Sequence, residues 1–278
     1  MRLEDMRRSE NVEDRRGLSI GRCGAGIGIG TIVLLIIGYF MGVSPSTMLN
    51  LISGADTVTQ GAAGTPAPGA VGRPSDPQGD FAAAVLGETE DVWSKYFAAA
   101  GQHYTPPTLV LFSGEVASAC GAASAAAGPF YCPGDQKVYI DLDFFGQLAS
   151  EFGAPGDFAR AYVLAHEVGH HVQNLLGLTG GAARPGAHGG SVAIELQADC
   201  LAGVWAMRDQ RIIEPGEVQQ ALAAAAAVGD DTLQRRTQGR VVPDTFTHGT
   251  SAQRQHWFEQ GFRSGKLESC DTQSAPQL

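Results

Sequence analysis

The sequence contains few basic residues for its length. Its 278 residues include 19 Lys+Arg against 29 Asp+Glu, which gives a formal net charge of −10. Residues 80–278 carry 12 of the basic residues and 22 of the acidic ones, so the excess of negative charge lies there. Proteins that bind nucleic acid need a basic surface against the phosphates. The charge balance therefore argues against nucleic acid as a partner.

The sequence also has no charged residue between positions 24 and 43. A helix of this length reaches about 30 Å, the thickness of the hydrocarbon core of a bilayer. Six arginines precede the run and none follows until Arg73, which predicts an N-terminus in the cytoplasm and the rest of the chain outside. A cleaved signal peptide is the alternative, but the run is long and no clean small-x-small cleavage site follows it. We therefore predict an uncleaved, single-pass anchor at residues 23–43.

The five cysteines lack the C-x-x-C spacing of many cysteine zinc sites, which argues against a Cys-Cys-His site. Four of them follow the apolar run, and an even set is expected of disulfides in an exported domain. Three pairings are possible. We predict Cys120–Cys132, which closes a short loop, and Cys200–Cys270, which ties the end of the chain to a predicted helix. Four buried free thiols are the alternative.

Composition divides the chain into four parts. Residues 1–22 form a short charged tail, predicted to be cytoplasmic, ahead of the anchor. Residues 44–79 are rich in Gly, Ala, Pro, Ser and Thr and form a flexible linker. Residues 80–278 form the folded domain, for which we predict an α+β fold because a few strands precede a set of packed helices. The periodicity predicts strands at Thr108–Phe112 and within 128–141, and helices from about Asp80, at 143–151, 157–176 and 191–208, from Pro215, and within 245–262.

Residues 166–170 read His-Glu-Val-Gly-His. Histidines at i and i+4 lie about 40° apart on one face of a helix. This is the H-E-x-x-H pattern, in which the histidines hold Zn²⁺ and the glutamate is the general base. The alternative is a helix that binds no metal, but apolar neighbours indicate burial, which is costly for polar side chains without a partner. We predict His166 and His170 as zinc ligands and Glu167 as the base.

A catalytic zinc site needs a third protein ligand and an open position for water. Glu195 is the best candidate, because its carboxylate is anionic and no histidine-rich alternative lies near it. Asp199, one turn later, is placed to accept the free N–H of a ligand histidine and so to fix its tautomer. Glu167 is not needed as a ligand, so it can take a proton from the activated water and pass it to the leaving amine.

Three segments together resemble the bacterial putative neutral zinc metallopeptidases, which are single-pass membrane proteins of the zincin group. The likeness covers nearly the whole chain, and E-x-x-x-D resembles the gluzincin branch. The resemblance implies a zincin-like domain with one Zn²⁺ per chain, Glu195 as ligand and Asp199 as its support. It also implies a peptide or protein substrate outside the cytoplasm, next to the bacterial cytoplasmic membrane. The segments are His166-Glu-Val-Gly-His-His-Val-Gln173, Glu195-Leu-Gln-Ala-Asp-Cys200 and Thr247-His-Gly-Thr-Ser-Ala-Gln-Arg254.

Proteases of this group usually add a donor that stabilises the oxyanion. His248 is our first candidate and Arg254 the second, although a lone histidine more often satisfies a structural hydrogen bond. His171 points about 100° away from His170 around the helix and is predicted to pack or to support the site. His256 is assigned to packing or the surface. His103 and His188 lie in loop-like sequence, and nothing around them indicates a functional role.

The strand at 137–141 is predicted either to pair with an extended peptide as an edge strand or to be an ordinary buried strand. For the whole chain we predict a membrane-anchored zinc metalloendopeptidase. Two alternatives stay open at this point. One is a catalytically silent zinc-binding protein, which the retained Glu167 disfavours. The other is a zinc hydrolase of a non-peptide amide or ester.

Overall fold

A computed structural model describes residues 1–17, 69–125, 128–179, 186 and 189–274. The predicted anchor at 23–43 and most of the predicted linker lie outside these residues. Among the helices of the described part, none is both long and apolar enough to cross a bilayer. The described residues form an α+β domain, as predicted.

Five short strands form one mixed sheet, and two more form a separate hairpin. The order in the sheet is β2-β1-β3-β7-β6, in which β1, β3 and β7 are parallel and the two outer strands are antiparallel to their neighbours. The strands predicted at Thr108–Phe112 and within 128–141 are confirmed as β3, β6 and β7. The strands are β1 (Val12–Asp14), β2 (Ala70–Val71), β3 (Thr108–Phe112), β4 (Glu115–Ser118), β5 (Gly121–Ser124), β6 (Phe130–Cys132) and β7 (Lys137–Asp141).

The first strand belongs to the interior of the sheet. β1 lies between β2 and β3, and Val12 is fully buried. The amide of Leu109 donates to the carbonyl of Asn11, and the amide of Arg15 donates to that of Leu111. These bonds make the N-terminal segment part of the domain core.

Three arginines of the predicted cytoplasmic tail are paired with acidic residues near the start of the domain. Met1–Gly17 and Pro68–Leu278 form one compact unit. Residues 1–17 of the predicted tail at 1–22 therefore contribute a strand to the sheet of the domain predicted at 80–278, because β1 pairs with β3. The ion pairs are Arg7 with Glu90 and Asp91, Arg8 with Asp80, and Arg16 with Asp76.

Seven α-helices lie in the described part of the chain and pack against the sheet and one another. The two that carry the predicted ligands, α3 and α4, contact each other, and α7 packs on α4. A Cβ at Gly261 of α7 would lie only 1.9 Å from the carbonyl oxygen of Cys200 on α4, so glycine permits this close packing. The helices are α1 (Pro77–Ala99), α2 (Asp143–Ser150), α3 (Asp157–Leu175), α4 (Gly190–Arg208), α5 (Val218–Ala227), α6 (Asp230–Gln238) and α7 (Ser251–Ser264).

Both predicted disulfides are confirmed. Cys120 bonds to Cys132 and joins the β4–β5 turn to β6. Cys200 bonds to Cys270 and fixes the C-terminal segment to α4, with both sulfur-bearing residues buried. The second bond therefore anchors one of the two ligand-bearing helices.

Candidate metal centre

The two ligand-bearing helices meet at Gly169, inside the His-Glu-Val-Gly-His sequence. A Cβ at this position would lie 3.0 Å from the carbonyl oxygen and 3.2 Å from the Cα of Ala198. Glycine therefore lets the backbone of α4 approach α3 directly beside the motif. As a result, the face of α3 that carries the histidines lies opposite the face of α4 that carries Glu195 and Asp199.

The structure brings His166, His170 and Glu195 together. Their candidate ligand atoms all lie within 4.8 Å of one another. Nε2 of His166 is 3.2 Å from Oε2 of Glu195, and Nε2 of His170 is 3.4 Å from Oε1. Zinc bonds of 2.0–2.2 Å in a tetrahedron separate neighbouring ligand atoms by about 3.4 Å. The donor set and its spacing therefore fit one zinc ion.

Asp199 supports His166 from behind. It is fully buried, and its Oδ1 lies 2.8 Å from Nδ1 of His166. The same carboxylate accepts the hydroxyl of Tyr162 and both Nε and Nη2 of Arg254. This arrangement leaves Nε2 of His166 to face the site.

Arg254, the second candidate for an oxyanion donor, also lines the cavity that holds the candidate ligands, but its guanidinium is already bonded on several sides. Its side chain is 4% exposed, and its guanidinium is engaged with Asp199, Tyr162 and the carbonyl of Val228. The guanidinium of Arg254 therefore balances the charge of the buried Asp199 carboxylate. This position supports a role for Arg254 in holding Asp199.

The charges at the centre favour a cation. Burial lowers the pKa of His166, but the carboxylates of Asp199 and Glu195 outweigh it and raise that pKa to about 10. Burial raises the pKa of Glu195, but the two histidines hold it well below its usual value. The pKa of Asp199 is lowered to about 2 against its burial, chiefly by Arg254 and His166. The two ionised carboxylates therefore favour positive charge at this centre, whether it is carried by protons on the histidines or by a bound cation.

Glu167 lines the same cavity as the three candidate ligands. The cavity has a volume of about 640 Å³. Glu167 is 7% exposed, and among the described residues none donates a hydrogen bond to its side-chain carboxylate. Its carboxylate is therefore available to a water or substrate in the cavity.

His248 also lines this cavity, on a loop between α6 and α7 that is held by Asp230. One carboxylate oxygen of Asp230 accepts the amides of Thr247, His248 and Gly249, and the other lies 3.2 Å from Nδ1 of His248. The Asp230 carboxylate raises the pKa of His248 although burial opposes the shift. Nδ1 of His248 is thus held by the Asp230 carboxylate and by the hydroxyl of Thr247, which lies 2.9 Å away.

The other histidines fall where the sequence suggested or outside the described part. His171 is buried, with its ring nitrogens next to the carbonyl of Thr105 and the hydroxyl of Tyr131. Burial lowers its pKa. His103 and His256 are exposed, and His188 lies outside the described residues. His171 therefore joins α3 to β6, and both of its ring nitrogens are engaged away from the candidate ligands.

The strand predicted as a possible edge strand is an interior one. β7 is hydrogen-bonded to β3 on one side and to β6 on the other, so it has no free edge. The outer strands of this sheet are β2 and β6, and two residues of β6, Phe130 and Tyr131, line the cavity. A peptide that adds a strand to the sheet beside the cavity would therefore pair with β6.

Three residues of the centre were not predicted as site residues. Gln173, at the end of the quoted motif, contacts Nδ1 of His170 and could have been found, because it lies three positions after that histidine. Tyr162 lies one turn before His166 on the same face. Asp230 carries no local signal, since only the fold brings it to His248.

Comparison with known proteins gives a consistent result. The family described as "Putative neutral zinc metallopeptidase" matches residues 1–273. The uncharacterized protein YpfJ of Escherichia coli K12 is 43% identical over an alignment of 287 positions, which covers 98% of each chain. An uncharacterized protein of Mycobacterium tuberculosis H37Rv is 52% identical over an alignment of 190 positions, which covers 63% of this chain and 65% of that protein. No solved structure shows significant similarity.

Proposed function

The chain belongs to the putative neutral zinc metallopeptidase family, and from this premise we propose that it is a zinc-dependent endopeptidase. Glu167 acts as its general base, and His166, His170 and Glu195 hold the metal. The proposal rests on one observation: the ligand atoms of these three residues lie close enough together to hold one metal ion. The Glu167 carboxylate, to which no described residue donates a hydrogen bond, lies in the same cavity. A purely structural zinc site has no need of such a base.

The residues around the centre divide the chemistry among them. A bound zinc ion would supply Lewis acidity, which makes a water more acidic and polarises a carbonyl. Glu167 takes the proton of the attacking water and delivers it to the leaving amine. In its protonated form, which the Asp230 carboxylate favours, His248 donates from Nε2 to the oxygen on which negative charge develops.

The lining of the cavity supports a peptide with apolar side chains as substrate. Its walls carry the aromatic side chains of Phe130, Tyr131, Phe144 and Phe152. The free edge of β6 offers backbone groups to an extended chain, and such pairing is a common mode of peptide recognition. An apolar side chain next to the scissile bond would bury its surface against these rings.

We further propose that the domain works outside the cytoplasm and is attached to the membrane through the apolar run at residues 24–43. Two disulfides in the folded domain support an oxidising compartment. The absence of charge from that run supports membrane attachment.

The test uses the full chain, because residues 1–17 are part of the fold. Zinc per chain is measured first, and cleavage of casein and of a mixed peptide library is then compared for the wild type and Glu167→Gln. We expect one zinc per chain in both, and a fall in cleavage of about 10²- to 10⁴-fold in the variant, the usual contribution of a general base. Glu151→Gln, on the surface outside the cavity, is the matched control and should keep full activity.

Each alternative has its own outcome in this experiment. One zinc per chain without hydrolysis of any peptide, amide or ester would indicate a silent zinc-binding protein. Hydrolysis of small amides or esters without peptide cleavage would indicate a hydrolase of another class. Full peptide cleavage by Glu167→Gln would contradict the assignment of the base.

A further inference from the structure

His170 is held from behind by a chain of side-chain amides. Oε1 of Gln173 lies 2.8 Å from Nδ1 of His170. Nε2 of Gln173 donates to Oε1 of Gln197 at 2.9 Å, and Nε2 of Gln197 donates to the carbonyl of Cys270 at 2.8 Å. Gln173 is fully buried and Gln197 is 7% exposed, so water does not replace these bonds easily.

The chain of amides has a fixed direction. Gln173 also donates to the backbone carbonyl of Ile194 at 2.8 Å, and Gln197 ends on the carbonyl of Cys270. A backbone carbonyl accepts hydrogen bonds and cannot donate them. Both amides must therefore turn their nitrogens towards these carbonyls, which leaves Oε1 of Gln173 to face His170. That oxygen needs a donor, so Nδ1 of His170 carries a proton.

The amide chain is anchored on the helix that carries the third ligand. Ile194 and Gln197 lie on α4 on either side of Glu195, and the disulfide from Cys200 holds Cys270 against the same helix. The amides therefore join the second ligand histidine of α3 to the backbone that positions Glu195. His170 is thus held by a neutral amide, whereas His166 is held by the charged carboxylate of Asp199.

We propose that Gln173 and Gln197 are positioning residues that hold His170 with its proton on Nδ1 and its Nε2 free for the metal. This inference rests on the proposed function, since it assumes that His170 is a ligand. Partners of this kind orient a ligand histidine, and their loss typically weakens metal binding about 10- to 100-fold. The amide chain thus sets the affinity of the centre without touching the metal.

The first test is the zinc dissociation constant of the full chain, measured by competition with a chelator. Gln173→Met keeps the length of the side chain but removes the acceptor, and we expect zinc binding about 10- to 100-fold weaker. Gln197→Met should cause a smaller loss, because Ile194 still orients Gln173. Gln220→Met is the matched control: it removes a hydrogen bond to the amide of Phe158 at the start of α3, away from His170, and should leave zinc binding unchanged.

A spectroscopic test separates positioning from general stability. In zinc-loaded protein with ¹⁵N-labelled histidine, the buried Nδ1–H of His170 should give a slowly exchanging imidazole resonance in the wild type. This resonance should be lost in Gln173→Met and kept in Gln220→Met. Unchanged zinc affinity together with a retained resonance in Gln173→Met would overturn the proposal.

Three further outcomes are each assigned a meaning. If Gln173→Met does not fold, Gln197→Met decides, and a change of less than twofold in its zinc affinity would overturn the proposal. If the wild type binds no zinc, the proposed function fails together with this inference. If the wild type binds zinc and both variants match it, only the inference fails.

Discussion

Replacing Asp199 by Asn should cost the protein a large part of its stability even when no metal is present. The Asp199 carboxylate is fully buried and is bonded at 2.8 and 2.9 Å by Arg254, which is itself 4% exposed. Asparagine keeps the size of the side chain but removes the charge. The Arg254 guanidinium then remains buried without its directly bonded counter-charge.

The expected size of the effect follows from that burial. Breaking a buried ion pair by removing one partner typically costs about 3–5 kcal/mol, because the other charge is left uncompensated. Domains of ordinary stability unfold with a free energy of about 5–15 kcal/mol. Asp199→Asn should therefore remove a substantial fraction of the total. Removing both charges should cost much less, since a buried pair replaced by neutral groups of similar volume is often close to neutral.

The assay is urea unfolding of chelator-treated protein with its disulfides intact, because bound zinc would add its own stabilisation. Wild type, Asp199→Asn, and Asp199→Asn combined with Arg254→Met are compared. We expect the double variant to recover much of the stability that the single variant loses. A loss below about 1 kcal/mol in Asp199→Asn, or a double variant no more stable than the single one, would refute this account of the buried pair.

Three further predictions concern other parts of the molecule. His248→Ala should lower peptide cleavage about 10²- to 10³-fold with zinc content unchanged; an unaltered turnover number would exclude it as the oxyanion donor. Gly169→Ala should push Ala198 away and weaken zinc binding, as measured by chelator competition, whereas affinity equal to the wild type would show that α4 can shift freely. Burial and the neighbouring Asp209 raise the pKa of Glu88 from 4.5 to about 8, so its contribution to stability is complete below about pH 4.5 and lost as the pH rises through about 8. Between those limits, the free energy of unfolding of the wild type should fall by at most about 1.4 kcal/mol per pH unit, and that of Glu88→Gln should lack this decline when both are measured by thermal unfolding. Parallel plots of unfolding free energy against pH for variant and wild type would contradict the raised pKa of Glu88.

The features that could be predicted correctly from the sequence depend on residues that lie close together in the chain. The helix expected at 157–176 is observed at Asp157–Leu175, and the i,i+4 spacing puts two histidines on one of its faces. The same spacing puts Glu195 and Asp199 on one face of α4. Periodicity could not show that these two faces meet. Their meeting depends on Gly169, whose importance becomes visible only when the packing is known.

Features that depend on distant segments were missed for physical reasons. β1 has three residues with one apolar side chain, Val12, among charged neighbours, so it shows no alternation. It is a strand because β3 lies beside it. Arg254 was considered as an oxyanion donor because a pattern cannot show what a long side chain contacts. Asp230 holds the loop of His248 through contacts that only the tertiary fold creates.

The interior position of β1 makes the N-terminal segment necessary for a complete sheet. β1 lies between β2 and β3 and shares backbone hydrogen bonds with β3. Without residues 1–17, β3 would present a row of unpaired backbone groups, and an exposed edge of this kind tends to pair with another chain. A fragment that begins at residue 80 should therefore aggregate where the full chain stays monodisperse in size-exclusion chromatography. Equal behaviour of the two proteins would contradict this role of β1.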